Sequence, residues 1–235
     1  AASISLLFSC GGGDVTTPLP QLAAEQDIPA LMTHFNVPGV SIAVIKNFQV
    51  KELLTYGVKD TDSLEPVVTD TLFQAASISK SLSAVAILQL AQDGFLDLDE
   101  DINVLLNSWQ LPDNSYTEQQ KVTMRRLLSH TAGTNVHGFP GYRTDQSLPT
   151  VVEVLNGDSL ANTETVKVVN TPGNKFTYSG GGYTIAQQAS SDVSQTSFAL
   201  MMEQNILQPL GMNNSSFELT LPAHLVGNES SAHNS

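Results

Sequence analysis

Phe73-Gln74-Ala75-Ala76-Ser77-Ile78-Ser79-Lys80-Ser81 opens an apolar segment that continues through Leu82, Val85, Ala86, Leu88 and Leu90 to Asp93 and Gly94. Serine is a helix-capping residue, the apolar positions recur at helical spacing, and Gly94 stands where a helix ending at Asp93 needs a left-handed residue. The spacing predicts a helix from Ser77 or Ser79 to about Asp93. Ser77 and Lys80, three apart, fall on one face of it, which puts an ammonium beside a hydroxyl. Serine attacks a carbonyl only when something takes its proton, and a neighbouring lysine can take it or orient the group that does. A helix N-terminus favours the negative charge that develops in such an attack. Alone the pair is a weak signal, because 24 serines and seven lysines in 235 residues supply about 0.7 such spacings by chance.

Upstream of this segment, residues 21–36 carry Leu22, Ile28, Leu31, Met32 and Phe35 at helical spacing, with Pro38-Gly39 as the stop. Val40–Ile45 and Gln49–Tyr56, separated by a turn at Asn47, read as a pair of strands. Residues 58–72 read as a surface loop. Downstream, short helices are expected at Ile102–Leu106, Thr123–Leu128 and Val151–Leu155. Longer ones are expected from Tyr183 to Val193 and from Thr196 to Leu207, with Gly180-Gly181-Gly182 as a tight turn before the first of these. Two strands followed almost only by helices is an unusual order, since two strands alone do not make a stable sheet.

Charged residues make up 14% of the chain, with 23 Asp plus Glu against 10 Lys plus Arg and a net charge of −13. That balance argues against nucleic-acid binding, because phosphate contacts need clustered basic residues. A hydrophobic share of 41% supports a packed core. No apolar run approaches the length needed to span a bilayer. His34, His137, His224 and His233 lack the spacing of a metal site. The reaction expected below needs no metal and no organic cofactor. No serine sits in a G-x-S-x-G elbow, which argues against a Ser-His-Asp triad built on His130.

The one cysteine, Cys10, excludes an internal disulfide. Leu7-Phe8-Ser9-Cys10 resembles the box at which bacterial lipoprotein signals are cut, with Gly11-Gly12-Gly13 as a tether after it. Residues 1–20 are therefore expected to be a signal remnant and tether. Cys10 is the expected site of lipidation, the only link to a membrane, and the location is expected to be extracytoplasmic, in a bacterial periplasm.

The block around Ser77, with Leu96-Asp97-Leu98-Asp99 after its helix, resembles the serine β-lactamase and penicillin-binding superfamily. The resemblance is closest to the class C β-lactamase-like serine hydrolases, which include D-amino-acid peptidases and family VIII esterases. Three further blocks agree in order: Leu127-Leu128-Ser129-His130-Thr131-Ala132-Gly133, Pro172-Gly173-Asn174-Lys175-Phe176-Thr177-Tyr178-Ser179, and Leu210-Gly211-Met212 with Ser216-Phe217. The resemblance covers about residues 21–235. It implies an α+β (α/β) fold, an antiparallel sheet flanked by helices, with a helical region at about 75–210 inserted and the site at the head of the Ser77 helix. It implies acylation of Ser77, with the Ser77 N–H as half of an oxyanion hole and Lys80 and Tyr178 as proton-transfer partners. The His130 loop is structural in that pattern.

Two departures stand out. Many relatives carry Asn two residues after the tyrosine, where it contacts the acyl-amide of the substrate; here Gly180 occupies that substrate-binding position, which leans toward esters or generic amides over β-lactams. The third motif of the family, Lys-Thr-Gly or His-x-Gly on a strand, has no counterpart after Tyr178. The expectation is a chain that stops before the strands carrying it. The reaction expected is hydrolysis of esters, D-amino-acid peptides or β-lactams through an acyl-enzyme, on a small-molecule or peptide substrate. The alternatives are a penicillin-binding module that acylates without turnover, and an inactive fragment.

Overall fold

The computed structural model of the chain describes residues 27–143 and 145–231. They divide into two compact units, one of residues up to Thr71 together with Ser231, the other Leu72–Ser230. The signal remnant, its tether and Cys10 lie outside the described residues.

In the first unit, α1 spans Ile28–His34, capped by Asp27, whose carboxylate accepts the Ala30 N–H, and by Pro29 in its first turn. Residues 21–26 of the helix expected over 21–36 lie outside the described residues. Pro38-Gly39 then turns the chain into β1, Gly39–Lys46, which pairs antiparallel with β2, Gln49–Gly57. Asn47 and Phe48 both adopt left-handed φ, 53° and 58°, the geometry a two-residue hairpin needs to match strand twist. A bulge between Val44 and Ile45 shifts the register. Gly57 has no room for a side chain: a Cβ there would lie 2.0 Å from the Pro38 carbonyl. The loop after β2 is organised by Asp60, which accepts the N–H groups of Asp62 and Ser63 and the Ser231 hydroxyl. These bonds, that from Ser231 foremost, hold its carboxyl well below the usual carboxylate range.

The second unit is helical. Its helices are α2, Ser79–Gln92; α3, Ile102–Leu105; α4, Met124–Leu128; α5, Val151–Asn156; α6, Gly180–Ser194; and α7, Phe198–Met202. One turn of 3₁₀ helix, Ala76–Ile78, leads into α2, and one π turn, Glu203–Leu207, continues α7. Leu72 and Glu229 pair as a parallel bridge. The core is built on α6, whose Ile185, Ala186 and Ala189 are fully buried among Ile87 of α2, Ile102 of α3, Leu127 of α4, Leu155 of α5 and Met202 of α7. Trp109, nearly buried, donates its indole N–H to Asn156 Oδ1 at 2.9 Å.

Polar anchors fix the connections. Asp192 accepts the Asn107 and Ser108 N–H groups at 2.8 and 3.0 Å, and the Ser108 hydroxyl at 2.8 Å. Thr150 and Glu153 form a capping box at the head of α5. On the surface, Arg125 forks onto both oxygens of Asp99 at 2.7 and 2.8 Å.

The fold is α+β, as expected, and two helical details differ. The three glycines at 180–182 are not a turn ahead of α6 but its first turn. Ser179 caps it, its hydroxyl accepting the Gly182 N–H at 2.9 Å. Glycine there permits a close approach: a Cβ on Gly181 would lie 3.0 Å from Val166 Cγ1, and one on Gly182 3.0 Å from Thr134 Oγ1. The helix expected over 196–207 begins at Phe198 and widens into the π turn at Glu203.

Candidate active site

Ser77 stands in the single 3₁₀ turn that feeds α2, exposed, with its hydroxyl at the head of the helix. The residue before it, Ala76, has φ 44°, a left-handed conformation that costs a non-glycine residue on the order of 1 kcal/mol. Lys80, in the first turn of α2, donates from Nζ to Ser77 Oγ at 3.1 Å. From the segment before α6, Tyr178 donates its hydroxyl to the same oxygen at 2.8 Å. Ser77 Oγ therefore accepts two bonds, one local and one from the far end of the unit.

Tyr178 is fixed by aromatic neighbours. Its ring lies 4.3 Å, centroid to centroid, from the His130 imidazole and 4.9 Å from that of His137. The Lys80 ammonium sits 5.0 Å from the Tyr178 ring centroid and 5.6 Å from that of Tyr183, distances at which a cation is attracted to a ring face. Burial pushes the Tyr178 phenol up, but hydrogen bonding with Lys80 and with Ser77 and the charge of Lys80 outweigh it and leave the phenol below its ordinary range. At Tyr183 burial first, and then the charge of Tyr178, raise the phenol. At His130, burial first, then the charges of Lys80 and His137, push the imidazole below its ordinary range.

The loop 135–139 forms the wall beside Tyr178. Gly180 and Gly181 donate their N–H groups to the carbonyls of His137 and Val136, both at 3.0 Å. The Ser179 hydroxyl donates to the Asn135 carbonyl at 2.5 Å. Gly180 is buried at the first position of α6, where a Cβ would lie 3.1 Å from the Phe139 ring and 3.2 Å from the His137 carbonyl.

The structure thus brings Ser77, Lys80 and Tyr178 within hydrogen-bonding reach and sets Gly180 under the same wall. Cys10 lies outside the described residues. Two residues around the phenol were not singled out from sequence as site residues. His137 had no signal beyond its place in a loop. His130 carried one, its place in a block that ends a helix. Among the described residues, no group of three His, Cys, Asp or Glu side chains gathers in a way that could hold a metal ion. A cleft of about 510 Å³ between the C-terminal end of α2 and the π turn, lined by Gln89, Phe95, Met201 and Asn205 among others, shares no residue with this cluster.

A serine hydroxyl held between an ammonium and a phenol at the head of a helix is equipped for acyl transfer. The family pattern described as Beta-lactamase matches residues 24–231. "Protein flp" of Staphylococcus aureus (strain N315) is 27% identical over 209 residues, which cover 84% of this chain and 39% of that protein. "Penicillin-binding protein 4" of Amycolatopsis lactamdurans is 29% identical over 199 residues, covering 84% and 49%. The solved "Beta-lactamase/D-alanine Carboxypeptidase" of Yersinia pestis, crystallised with citrate, superposes with a TM-score of 0.68 at 26% identity, covering 85% of this chain and 55% of that one. The chain spans less than half the length of the curated relatives it matches.

Proposed function

The chain belongs to the beta-lactamase family, and from that premise we propose that it is a serine hydrolase working through an acyl-enzyme on Ser77. The observation that carries this reading is the double bond pattern at Ser77 Oγ, which accepts from Lys80 at 3.1 Å and Tyr178 at 2.8 Å. Tyr178 as phenolate, stabilised by the Lys80 ammonium, reverses its bond and takes the Ser77 proton while Oγ attacks the substrate carbonyl. The tetrahedral oxyanion is met by the Ser77 N–H. Collapse breaks the bond to the leaving group, which departs with the proton held by Tyr178. Water then attacks the acyl-enzyme, giving up its proton to Tyr178; collapse breaks the ester bond to Ser77 Oγ, which takes that proton back from Tyr178, and the carboxylic acid leaves.

The substrate class we propose is esters or amides with a free approach to the exposed Ser77, with D-amino-acid peptides and β-lactams behind them, since Gly180 offers no side-chain amide to an acyl group. A location outside the cytoplasm, with lipid attachment at Cys10, fits the Leu7–Cys10 box. Incubation with a fluorophosphonate probe and with a fluorescent penicillin tests the reading. Label expected on the chain and lost in Ser77→Ala supports it; equal labelling of both proteins sinks it. Multiple turnover of p-nitrophenyl butyrate separates hydrolysis from acylation without release, the behaviour of a penicillin-binding module. Nitrocefin in the same assay ranks β-lactams against esters.

A further inference from the structure

One residue grips the backbone on both sides of Tyr178. The Thr177 N–H donates to the His130 carbonyl at 2.7 Å, and the Ser179 N–H donates to His130 Nδ1 at 3.2 Å. Between these two tethers the tyrosine projects toward Ser77 with its ring tilted 32° from the imidazole plane. His130 is itself fixed. It follows α4 in a left-handed conformation, φ 58°, with Phe176 edge-on at 5.7 Å and Tyr183 at 5.2 Å. The Tyr183 hydroxyl donates back to the Leu128 carbonyl at 3.1 Å.

We propose that His130 is the positioning residue for Tyr178, holding the phenolic oxygen on Ser77 only while its imidazole is neutral with the proton on Nε2. The inference rests on the reading that Tyr178 serves Ser77. Its chemistry is simple. Nδ1 accepts a backbone N–H, so it must carry a lone pair. Protonation turns that acceptor into a donor facing another donor, and one of the two tethers on Tyr178 is lost. The ionisable groups around the imidazole are Lys80 from α2, His137 from the loop, Tyr178 from the segment before α6 and Tyr183 from α6. Burial and the charges of Lys80 and His137 all favour the neutral form. The tether is therefore intact at neutral pH and is lost as pH falls below the ordinary histidine range.

Three variants of the 235-residue chain test this: His130→Asn, His130→Phe and His130→Ala. Asparagine tolerates the left-handed conformation, can present a carbonyl oxygen where Nδ1 stood, and does not titrate. Phenylalanine keeps a ring against Tyr178 but has no acceptor. The readouts are the pH dependence of fluorophosphonate labelling at Ser77 and the kcat and KM for p-nitrophenyl butyrate. Expected are a kcat lower by roughly 10²-fold in the Phe and Ala variants with KM little changed, since misplacing a reacting group by about 1 Å costs that much. His130→Asn should keep most of kcat and the limb that belongs to the Tyr178 phenolate, and lose the second, steeper fall below the ordinary histidine range. A His130→Phe enzyme as fast as wild type, or a second fall below the ordinary histidine range that persists in His130→Asn, overturns the proposal. If the Ala and Phe variants fail to fold, wild type and His130→Asn decide it. If wild type labels nowhere, the hydrolase reading fails and NMR decides the positioning role: titration of His130 must move the Tyr178 ring resonances at the same pH, and unmoved resonances overturn it.

Discussion

The Tyr178 hydroxyl lies 2.8 Å from Ser77 Oγ across 101 residues of chain, whereas Lys80 reaches the same oxygen from one helical turn away. The long contact depends on the packing of the helical unit and the short one only on α2 and the 3₁₀ turn that leads into it. The two partners are therefore separable by substitution.

Tyr178→Phe keeps the ring against His130 and removes only the hydroxyl. The rate of fluorophosphonate labelling at Ser77 should fall by roughly 10² to 10⁴-fold, the usual worth of a positioned general base. The urea midpoint should barely move. An unchanged labelling rate would remove Tyr178 from the proposed mechanism.

Labelling should also rise with pH as the Tyr178 phenolate forms, along a limb lying below the ordinary phenol range. The cause of that depression fixes the sign of a second test. Burial pushes the phenol up and Lys80 is the main opposing influence, so Lys80→Met should shift the limb to higher pH. Ultraviolet titration of the tyrosines checks the ionisation independently of rate; a limb that moves down contradicts the assignment.

Asp192 should be a pillar of stability. Burial raises its carboxyl, but bonds from the Ser108 and Asn107 N–H groups, the Ser108 hydroxyl and Gln188 outweigh it and hold it below the usual range. The contribution is present at neutral pH and fades as pH falls through that depressed value. Asp192→Ala should cost about 2 kcal/mol in urea unfolding at pH 7, and less in acid. A cost independent of pH would argue that the lost packing, not the charge, is responsible.

Gly181→Ala puts a methyl against Val166, and overpacking of this kind costs roughly 1–3 kcal/mol. Adding Val166→Ala should recover part of the loss, because Val166 Cγ1 and Cγ2 are the nearest obstacles at 3.0 and 3.1 Å. Additive losses in the double variant, measured by thermal unfolding, would place the strain elsewhere.

Legibility in the sequence followed the range of the interaction. The β1–β2 hairpin, α2 and its Gly94 stop, and the Ser77–Lys80 pair all rest on residues a few positions apart, and periodicity reveals them. Tyr178 emerged only through the resemblance of its block to a family, because no spacing rule links positions 77 and 178. His130 and His137 looked like loop histidines: their contacts with Tyr178 span more than forty residues, and a left-handed φ at residue 130 leaves no mark on composition. The glycines at 180–182 misled for a related reason. Glycine marks turns when φ is positive, but here it marks the near approach of Val166 and Thr134, which only the packed structure reveals.

Trp109 gives these experiments a built-in lamp. It is the chain's one tryptophan, nearly buried, its indole N–H bonded to Asn156, and it sits in the unit formed by Leu72–Ser230. Excited selectively, its emission should shift to the red and weaken when water reaches the indole. The signal then follows melting of the unit that holds Ser77, Lys80 and Tyr178, and leaves the β1–β2 hairpin dark. A protein unfolding in two stages would show only one of them by fluorescence, while circular dichroism would show both.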